Sequence, residues 1–144
     1  MKVLIISGAN LNCIEKRGSE YGGISHTQLT KTISDYAKSL NKKIETEFFV
    51  SNFEGELIEK IQNCTADALI INAGAYSHYS LAIADALNIL ICPKAEVHLT
   101  NVHKTGRHTL TTGASCDGVI TGFGVYGYFL ALTFLNDKFN NRLV

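Results

Sequence analysis

Two short stretches of the sequence hold pairs of residues that could transfer protons. In "AEVHL", Glu96 and His98 lie two positions apart, so on a strand they point to one face, where a carboxylate can orient a proton-donating imidazole. In "CIEKRGSEYGG", Arg17 precedes Tyr21 by four residues. A tyrosine hydroxyl has an ordinary pKa of about 10, and a nearby cation favours its ionised form. Each pair also has a structural interpretation, an ion pair at a strand end and a surface contact.

A metal site is a further possibility that the sequence raises. Its ligands would be a glutamate and three histidines, namely Glu96, His98, His103 and His108. The histidines are five residues apart, and this spacing matches no rule for metal ligation on a helix or a turn. We therefore predict no metal ion.

The glycine-rich stretch "GFGVYG", Gly122 to Gly127, formally matches the G-x-G-x-x-G pattern of dinucleotide-binding proteins. Only 17 residues follow Gly127, which leaves no room for a second strand or for an acidic ribose-binding residue about 20 positions further on. The glycines are better explained by entry into a helix that packs closely on a sheet.

The elements that must position these residues alternate regularly. Short apolar runs rich in β-branched residues predict parallel strands buried on both faces, at residues 3–6, 43–51, 68–73, 87–99 and 117–124. Between them, apolar residues recur at helical spacing in residues 25–41, 54–64, 77–87 and 125–139. Ser25 followed by Gln28 predicts a capping box at the start of the first helix.

This alternation predicts a single α/β domain with a flavodoxin-like, five-stranded parallel sheet in the order 2-1-3-4-5 and helices on both faces. Ligands of such sheets bind beyond the carboxyl ends of the strands. The loops that follow strands 1, 3 and 4 at these ends are polar. The loop after strand 3 holds the turn between Asn72 and His78. Asparagine is common in turns for backbone reasons, so this feature alone decides little.

Bulk properties limit the possible partners. Basic and acidic residues both number 13 and the pI is about 6.9, so no overall field would attract nucleic acid or an anionic membrane. The four cysteines form no Cys-x-x-Cys pair, and we predict that they are reduced and mostly buried. No apolar run reaches the length of a membrane span and no cleavage pattern follows the first residues, which predicts a cytoplasmic protein.

Taken in order, several motifs resemble those of the type II 3-dehydroquinate dehydratases. They are "GANLN", an arginine followed by "YGG", "INAGAYSH", "EVHLTNVH", "GRH" and "GFGVYGY", and the resemblance spans about residues 2–135. It implies a flavodoxin-like lyase of the shikimate pathway that uses no cofactor, assembles as a dodecamer of trimers, and converts 3-dehydroquinate to 3-dehydroshikimate by anti elimination through an enolate.

The resemblance also implies catalytic roles. Tyr21 would be the base that removes the proton beside the ketone, and Arg17 the cation that lowers its pKa from within a lid at about residues 13–23. Asn10 would orient a water molecule against the developing enolate. His98, oriented by Glu96, would protonate the leaving hydroxyl.

Other positions would bind the substrate. The resemblance assigns its carboxylate to Asn72 and the backbone of Leu99 and Thr100, and its ring hydroxyls to His78 and Arg107. Asp85 would reach the site of a neighbouring subunit.

The chain departs from the family pattern at several points. It has Gly8-Ala9-Asn10 in place of Gly-Pro-Asn, a lid that is one residue shorter and lacks a proline, and about two fewer residues between His103 and Arg107. Lys94 stands where an apolar residue is usual. A second hypothesis is therefore a diverged homologue that binds a carboxylate metabolite without turnover. A third, an unrelated nucleotide-binding or signalling module, is disfavoured because the chain lacks a phosphate loop and an acidic pair after strand 1.

Overall fold

The computed structural model describes residues 1–106 and 108–141, which form a five-stranded parallel sheet between two layers of helices. The strands are β1 (Lys2–Ser7), β2 (Glu45–Val50), β3 (Ala68–Asn72), β4 (Lys94–His98) and β5 (Gly118–Thr121), in the spatial order 2-1-3-4-5. The longer helices are α1 (His26–Leu40), α2 (Glu54–Gln62), α3 (Leu81–Ile89) and α4 (Tyr126–Phe139). The predicted fold class and strand order are confirmed.

The hydrophobic core has two layers, one on each face of the sheet. Val3 and Ile5 of β1 pack with the residues of α1 and α4, whereas Leu4 and Ile6 pack with those of α2 and α3. Because successive side chains of a strand point to opposite faces, a strand covered on both faces must be apolar throughout. This explains why the central strands correspond to continuous apolar runs in the sequence.

Helix α1 begins where the sequence predicted. The Ser25 hydroxyl accepts a hydrogen bond from the Gln28 N–H at 3.2 Å, and the Gln28 side chain accepts one from the Ser25 N–H at 2.8 Å. These reciprocal bonds satisfy N–H groups that have no partner in the first turn of a helix. The predicted capping box is confirmed.

The boundary between α3 and β4 was predicted wrongly. The predicted strand 87–99 begins only at Lys94, and α3 starts after Ser80, whose hydroxyl accepts the Ile83 N–H. A short apolar run has no periodicity that separates a helix end from a buried strand. The structure also explains Lys94, because its ammonium donates a hydrogen bond at 2.9 Å to the carbonyl of Leu90 at the end of α3.

The loops that follow β1 and β3 pass very close to each other. A Cβ atom added to Gly8 would lie 2.3 Å from the carbonyl oxygen of Ala73, and one added to Gly74 would lie 2.6 Å from that of Ala9. Gly74 also has a φ of +65°, a backbone conformation that residues other than glycine rarely adopt. Glycine at these two positions therefore holds the two loops together beyond the carboxyl ends of the strands.

The cysteines were only partly predicted. All four are free, as expected, but Cys13, Cys64, Cys92 and Cys116 are half-buried rather than buried. Cys13 lies at a kink inside the 3-10 helix Leu11–Lys16, and the other three lie in loops or directly after a helix. Within residues 1–106 and 108–141, no helix has both the length and the apolar character needed to cross a bilayer.

Candidate active site

A cavity of about 150 Å³ lies at the carboxyl ends of the strands, where the fold class places a ligand site. The loops after β1, β3 and β4 form its walls. Among the described residues, its lining consists of Leu11, Arg17, Tyr21, Asn72, Gly74, Ala75, His78, His98, Leu99, Thr100 and Val102. The structure thus brings one predicted proton-transfer pair, Arg17 and Tyr21, to the same cavity as His98 of the other pair.

The predicted lid, residues 13–23, is not an irregular loop. Most of it lies in two 3-10 segments, Leu11–Lys16, which is kinked at Cys13, and Ser19–Tyr21. Leu11 and Ile14 are buried in the core, and this anchorage is the physical reason that the segment is ordered into helical turns.

Arg17 and Tyr21 are in direct contact across the two turns. The Nη2 atom of Arg17 donates a hydrogen bond to the Tyr21 hydroxyl at 2.9 Å, and its guanidinium carbon lies 4.2 Å from the centre of the tyrosine ring. Both side chains are half-buried. A cation therefore stands at the oxygen that would carry negative charge if Tyr21 lost its proton.

Glu96 and His98 share one face of β4, as alternation along a strand predicts. The Nε2 atom of His98 lies 2.6 Å from Oε1 of Glu96. Glu96 is completely buried and His98 is 6% exposed. The carboxylate oxygen accepts the proton of Nε2, so Nδ1 is the ring nitrogen that remains to face a ligand.

The second carboxylate oxygen of Glu96 has its own partner. It accepts a hydrogen bond from the hydroxyl of Thr112, which is also completely buried. Both oxygens are thereby satisfied, as a buried carboxylate requires.

His78 lies at the end of the 3-10 helix Gly74–His78 and is oriented by the backbone. Its Nδ1 atom is 2.7 Å from the carbonyl oxygen of Thr109, and because a carbonyl can only accept, Nδ1 carries the proton. The ring stacks on that of His98 with 6.1 Å between centroids. The two imidazoles thus form one wall of the cavity.

Asn72 ends β3 and is 3% exposed. Its Oδ1 accepts the Gly74 N–H at 3.2 Å, and its Nδ2 donates to the Tyr128 hydroxyl at 3.4 Å. Burial raises the pKa of Tyr128 to about 12, so this hydroxyl remains neutral. The asparagine amide is therefore held in a fixed orientation at the cavity wall.

Leu99 and Thr100 follow β4 and contribute the opposite part of the lining. Their carbonyl oxygens accept hydrogen bonds from the Gly124 N–H at 2.9 Å and the Thr121 hydroxyl at 3.0 Å. These bonds fix the backbone of both residues against β5 and the start of α4.

Several predicted site residues lie elsewhere. Glu96 bonds to His98 but does not line the cavity. Asp85 is exposed on α3. Asn10 is exposed in a left-handed conformation, and its N–H bonds to the Asn52 side chain at 2.8 Å. Arg107 lies outside the described residues.

Sequence reasoning missed Thr112 and four residues of the lining, Leu11, Gly74, Ala75 and Val102. Thr112 lies 16 positions after Glu96 in a stretch with several threonines, so no spacing rule could have selected it. In the described part of the chain, no three or more histidine, cysteine, aspartate or glutamate residues are grouped so that they could hold a metal ion.

Comparison with known proteins was made on sequence and on structure. The family model "Dehydroquinase class II" matches residues 1–136. The 3-dehydroquinate dehydratase of Thermotoga petrophila is 45% identical over 141 residues, covering 96% of both chains. That of Fusobacterium nucleatum is 41% identical over 146 residues, covering 97% of this chain and 99% of its own.

Solved structures give the same result. The type II dehydroquinase of Butyrivibrio crossotus superposes with a TM-score of 0.89 and 43% sequence identity, over 94% of this chain and 97% of that one. A 3-dehydroquinate dehydratase-like protein of Bifidobacterium longum superposes with a TM-score of 0.70 and 26% identity, over 97% and 98% of the two chains.

Proposed function

Because the chain belongs to the class II dehydroquinase family, we propose that its cavity is the active site for that family's reaction. The protein is an enzyme that dehydrates 3-dehydroquinate in the shikimate pathway. The observation that best supports the proposed site is that the Arg17–Tyr21 pair and His98, which is bonded to Glu96, border the same cavity. A base and an acid on different walls are what an elimination of water needs.

Tyr21 is the proposed base. The Tyr21 oxygen, ionised and hydrogen-bonded to the Arg17 guanidinium, would remove the proton beside the ketone of the substrate and leave an enolate. Asn10, which directly precedes the cavity residue Leu11, would orient a water molecule that donates to the enolate oxygen.

His98 is the proposed acid. With Nε2 bonded to Glu96, its Nδ1–H would protonate the hydroxyl that leaves from the neighbouring carbon, and the product would be 3-dehydroshikimate. The buried carboxylate stabilises the imidazolium form that donates this proton. Anti elimination follows if the substrate ring lies between Tyr21 and His98.

The substrate would be held by polar groups around the ring. Asn72 and the backbone of Leu99 and Thr100 would bind the carboxylate, and His78 with Arg107 the ring hydroxyls. The proposal involves no metal ion and no cofactor.

We further propose a homo-oligomer, a dodecamer built of trimers, in which α3 contacts a second subunit. Leu81, Asp85 and Ile89 are spaced four residues apart on one face of this helix. Leu81 and Ile89 are 71% and 65% exposed, so this face of the helix presents apolar surface that a partner subunit would cover. Asp85, between them, would reach the neighbouring subunit's site.

The proposed location is the cytoplasm. All four cysteines are free thiols, as expected for a protein in a reducing compartment.

The activity is tested by mixing the purified protein with 3-dehydroquinate and following the ultraviolet absorbance of the conjugated enone product. Wild-type protein should produce this signal, and His98→Asn should be at least about a hundredfold slower. Absence of product at high protein concentration would refute the reaction. Calorimetric binding of the substrate without any absorbance change would instead identify a binding protein that has lost turnover.

A further inference from the structure

The Glu96 carboxylate is held from two directions. Oε1 bonds to the imidazole of His98 at 2.6 Å, and Oε2 bonds to the hydroxyl of Thr112. Glu96 and Thr112 are completely buried. Burial disfavours a charged carboxylate unless its oxygens accept hydrogen bonds. The His98 and Thr112 donors therefore both stabilise the same Glu96 carboxylate.

Thr112 is itself fixed by the segment to which it belongs. Its N–H donates to the Ser77 carbonyl at 3.3 Å, and the next residue, Gly113, packs tightly. A Cβ added to Gly113 would lie 2.7 Å from the Val119 side chain and 3.6 Å from Oε1 of Glu96. The Thr112 hydroxyl is therefore presented to the carboxylate by a rigid turn.

The same segment holds the second histidine of the cavity wall. The Thr109 carbonyl accepts the Nδ1–H of His78, and the Thr111 hydroxyl donates to the His78 carbonyl at 3.2 Å. One run of four residues thus contacts both histidine positions, directly at His78 and through Glu96 at His98.

We propose that Thr112 is a positioning residue for the proposed acid His98: its hydroxyl fixes the Glu96 carboxylate in the orientation that holds His98 for proton donation. Thr112 is not among the residues that line the cavity, so it acts through Glu96 and not on the substrate. The inference rests on the function proposed above, because it concerns the step that His98 performs.

Other charged or titratable groups surround the Glu96–His98 pair. His78 stacks on His98, Arg17 and Tyr21 line the same cavity, and Cys116 follows the turn that carries Thr112. Burial, reinforced by the charge of Glu96, raises the pKa of Cys116 to about 12, so this thiol stays neutral near pH 7. A change at Thr112 leaves all these groups in place, so a shift in the pH profile reports on Glu96.

The test compares Thr112→Val, which removes the hydroxyl at nearly constant volume, with Thr112→Ser, which keeps it. A lost hydrogen bond to a charged group predicts a kcat about ten- to a hundredfold lower for the valine variant. KM should stay within about twofold, since Thr112 does not line the cavity in which the substrate would bind. The acid limb of the pH profile, the low-pH range in which kcat/KM falls, should move to higher pH. The reason is that a carboxylate without its hydrogen-bond donor, here Glu96 without the Thr112 hydroxyl, is protonated more readily. The serine variant should restore both kcat and the acid limb.

Two controls separate this effect from damage to the fold. Thr30→Val removes a hydroxyl that bonds only to its own helix, at the Thr27 carbonyl, and should leave kcat unchanged. If Thr112→Val does not fold, as judged by circular dichroism, Thr112→Ala removes the same hydroxyl without a second methyl group and is judged by the same criteria.

The inference is overturned if active wild-type enzyme and Thr112→Val share the same kcat and acid limb, or if Thr112→Ser is as impaired as the valine variant. A double-mutant cycle adds a stricter criterion. In a Glu96→Gln background, Thr112→Val should change kcat by less than about twofold, because the carboxylate on which it acts is gone. A full, independent loss there would also overturn it. Failure of the wild-type protein to form product would instead refute the proposed function.

Discussion

At the scale of single residues, the contact between Arg17 and Tyr21 has a direction that matters for chemistry. A guanidinium has only donors, so the Tyr21 oxygen must be the acceptor of the 2.9 Å hydrogen bond. A bond accepted from a cation is stronger for an ionised oxygen than for a neutral one. The geometry of this pair therefore places a fixed cation directly at the oxygen of the proposed base.

Replacing Tyr21 by phenylalanine should remove this base and leave the ring in place. We expect kcat to fall by at least about a hundredfold, while calorimetry shows substrate affinity within a few-fold of wild type. The control is Tyr36→Phe, which removes a hydroxyl that bonds to Thr133 between α1 and α4 and should keep full activity. A Tyr21→Phe enzyme with more than a tenth of wild-type kcat would exclude Tyr21 as the base.

At the scale of elements, the site depends on the contact between the loops after β1 and β3. The loop after β1 leads to the predicted lid with Arg17 and Tyr21. The loop after β3 leads into the 3-10 helix Gly74–His78, which ends at His78. Their backbones approach so closely at Gly8 and Gly74 that any side chain at either position would overlap a carbonyl oxygen. The relative position of the two loops is therefore set by main-chain contact.

Gly74→Ala should displace these loops. The added methyl would meet the Ala9 carbonyl at 2.6 Å in a backbone with φ +65°, and the left-handed conformation alone costs about 1–2 kcal/mol. We expect a lower melting temperature by calorimetry and a raised KM. Gly55→Ala is the matched control. Gly55 lies inside α2 with no atom near the added methyl, so this variant should be as stable as wild type or more stable by up to about 1 kcal/mol. Equal melting temperatures for Gly74→Ala and wild type would contradict the prediction.

Two thiols lie near the amino ends of β3 and β4, away from the cavity at the carboxyl ends. Cys64 follows α2 and Cys92 precedes β4, and a hydrogen bond from the Cys92 thiol lowers the pKa of Cys64 to about 6 and raises that of Cys92. Cys64 should therefore be a thiolate at pH 7, whereas Cys116, with a pKa of about 12, should be a neutral thiol.

Alkylation by iodoacetamide, located by peptide mass spectrometry, checks this difference. Labelling of Cys64 should rise through about pH 6 and then level off, because the thiolate is the reactive form, and Cys116 should react far more slowly at pH 7. In Cys92→Ala, which removes the donor, the rise should move to higher pH, because the pKa of Cys64 is no longer lowered by that hydrogen bond. Faster labelling of Cys116 than of Cys64 would contradict the assignment.

At the scale of the whole molecule, a formal net charge of zero gives little repulsion between copies of the chain. Exposed apolar side chains on α3 then favour association. The proposed contact places Leu81, Asp85 and Ile89 against another subunit, so assembly and activity should depend on the same helix face.

Ile89→Glu should weaken assembly, because it places a charge within an apolar contact. Light scattering after size exclusion should show a smaller mass than for wild type. The control is Phe139→Glu, a similar change at a 49% exposed residue of α4, on the other face of the sheet, which should keep the wild-type mass. Asp85→Asn should keep the mass but lower kcat/KM. Unchanged assembly in Ile89→Glu would exclude the α3 contact.

Much of the fold could be predicted because its signals are local. Strand and helix periodicity, the Ser25–Gln28 capping box and the order of elements all follow from residues close in sequence. The end of α3 and the start of β4 could not, because the apolar residues between them fit either structure until their packing is known. The helical turns of the lid were missed for a similar reason, since they depend on Leu11 and Ile14 entering the core.

The candidate site divides in the same way. The sequence by itself determined the pairs whose partners are close along the chain, Glu96 with His98 and Arg17 with Tyr21, because strand alternation and a short turn bring such residues together. Only the tertiary structure decided that the Arg17–Tyr21 pair and His98 border one cavity and that Thr112 holds the Glu96 carboxylate. These contacts join residues far apart in the chain, and their positions depend on how the whole sheet and its loops pack.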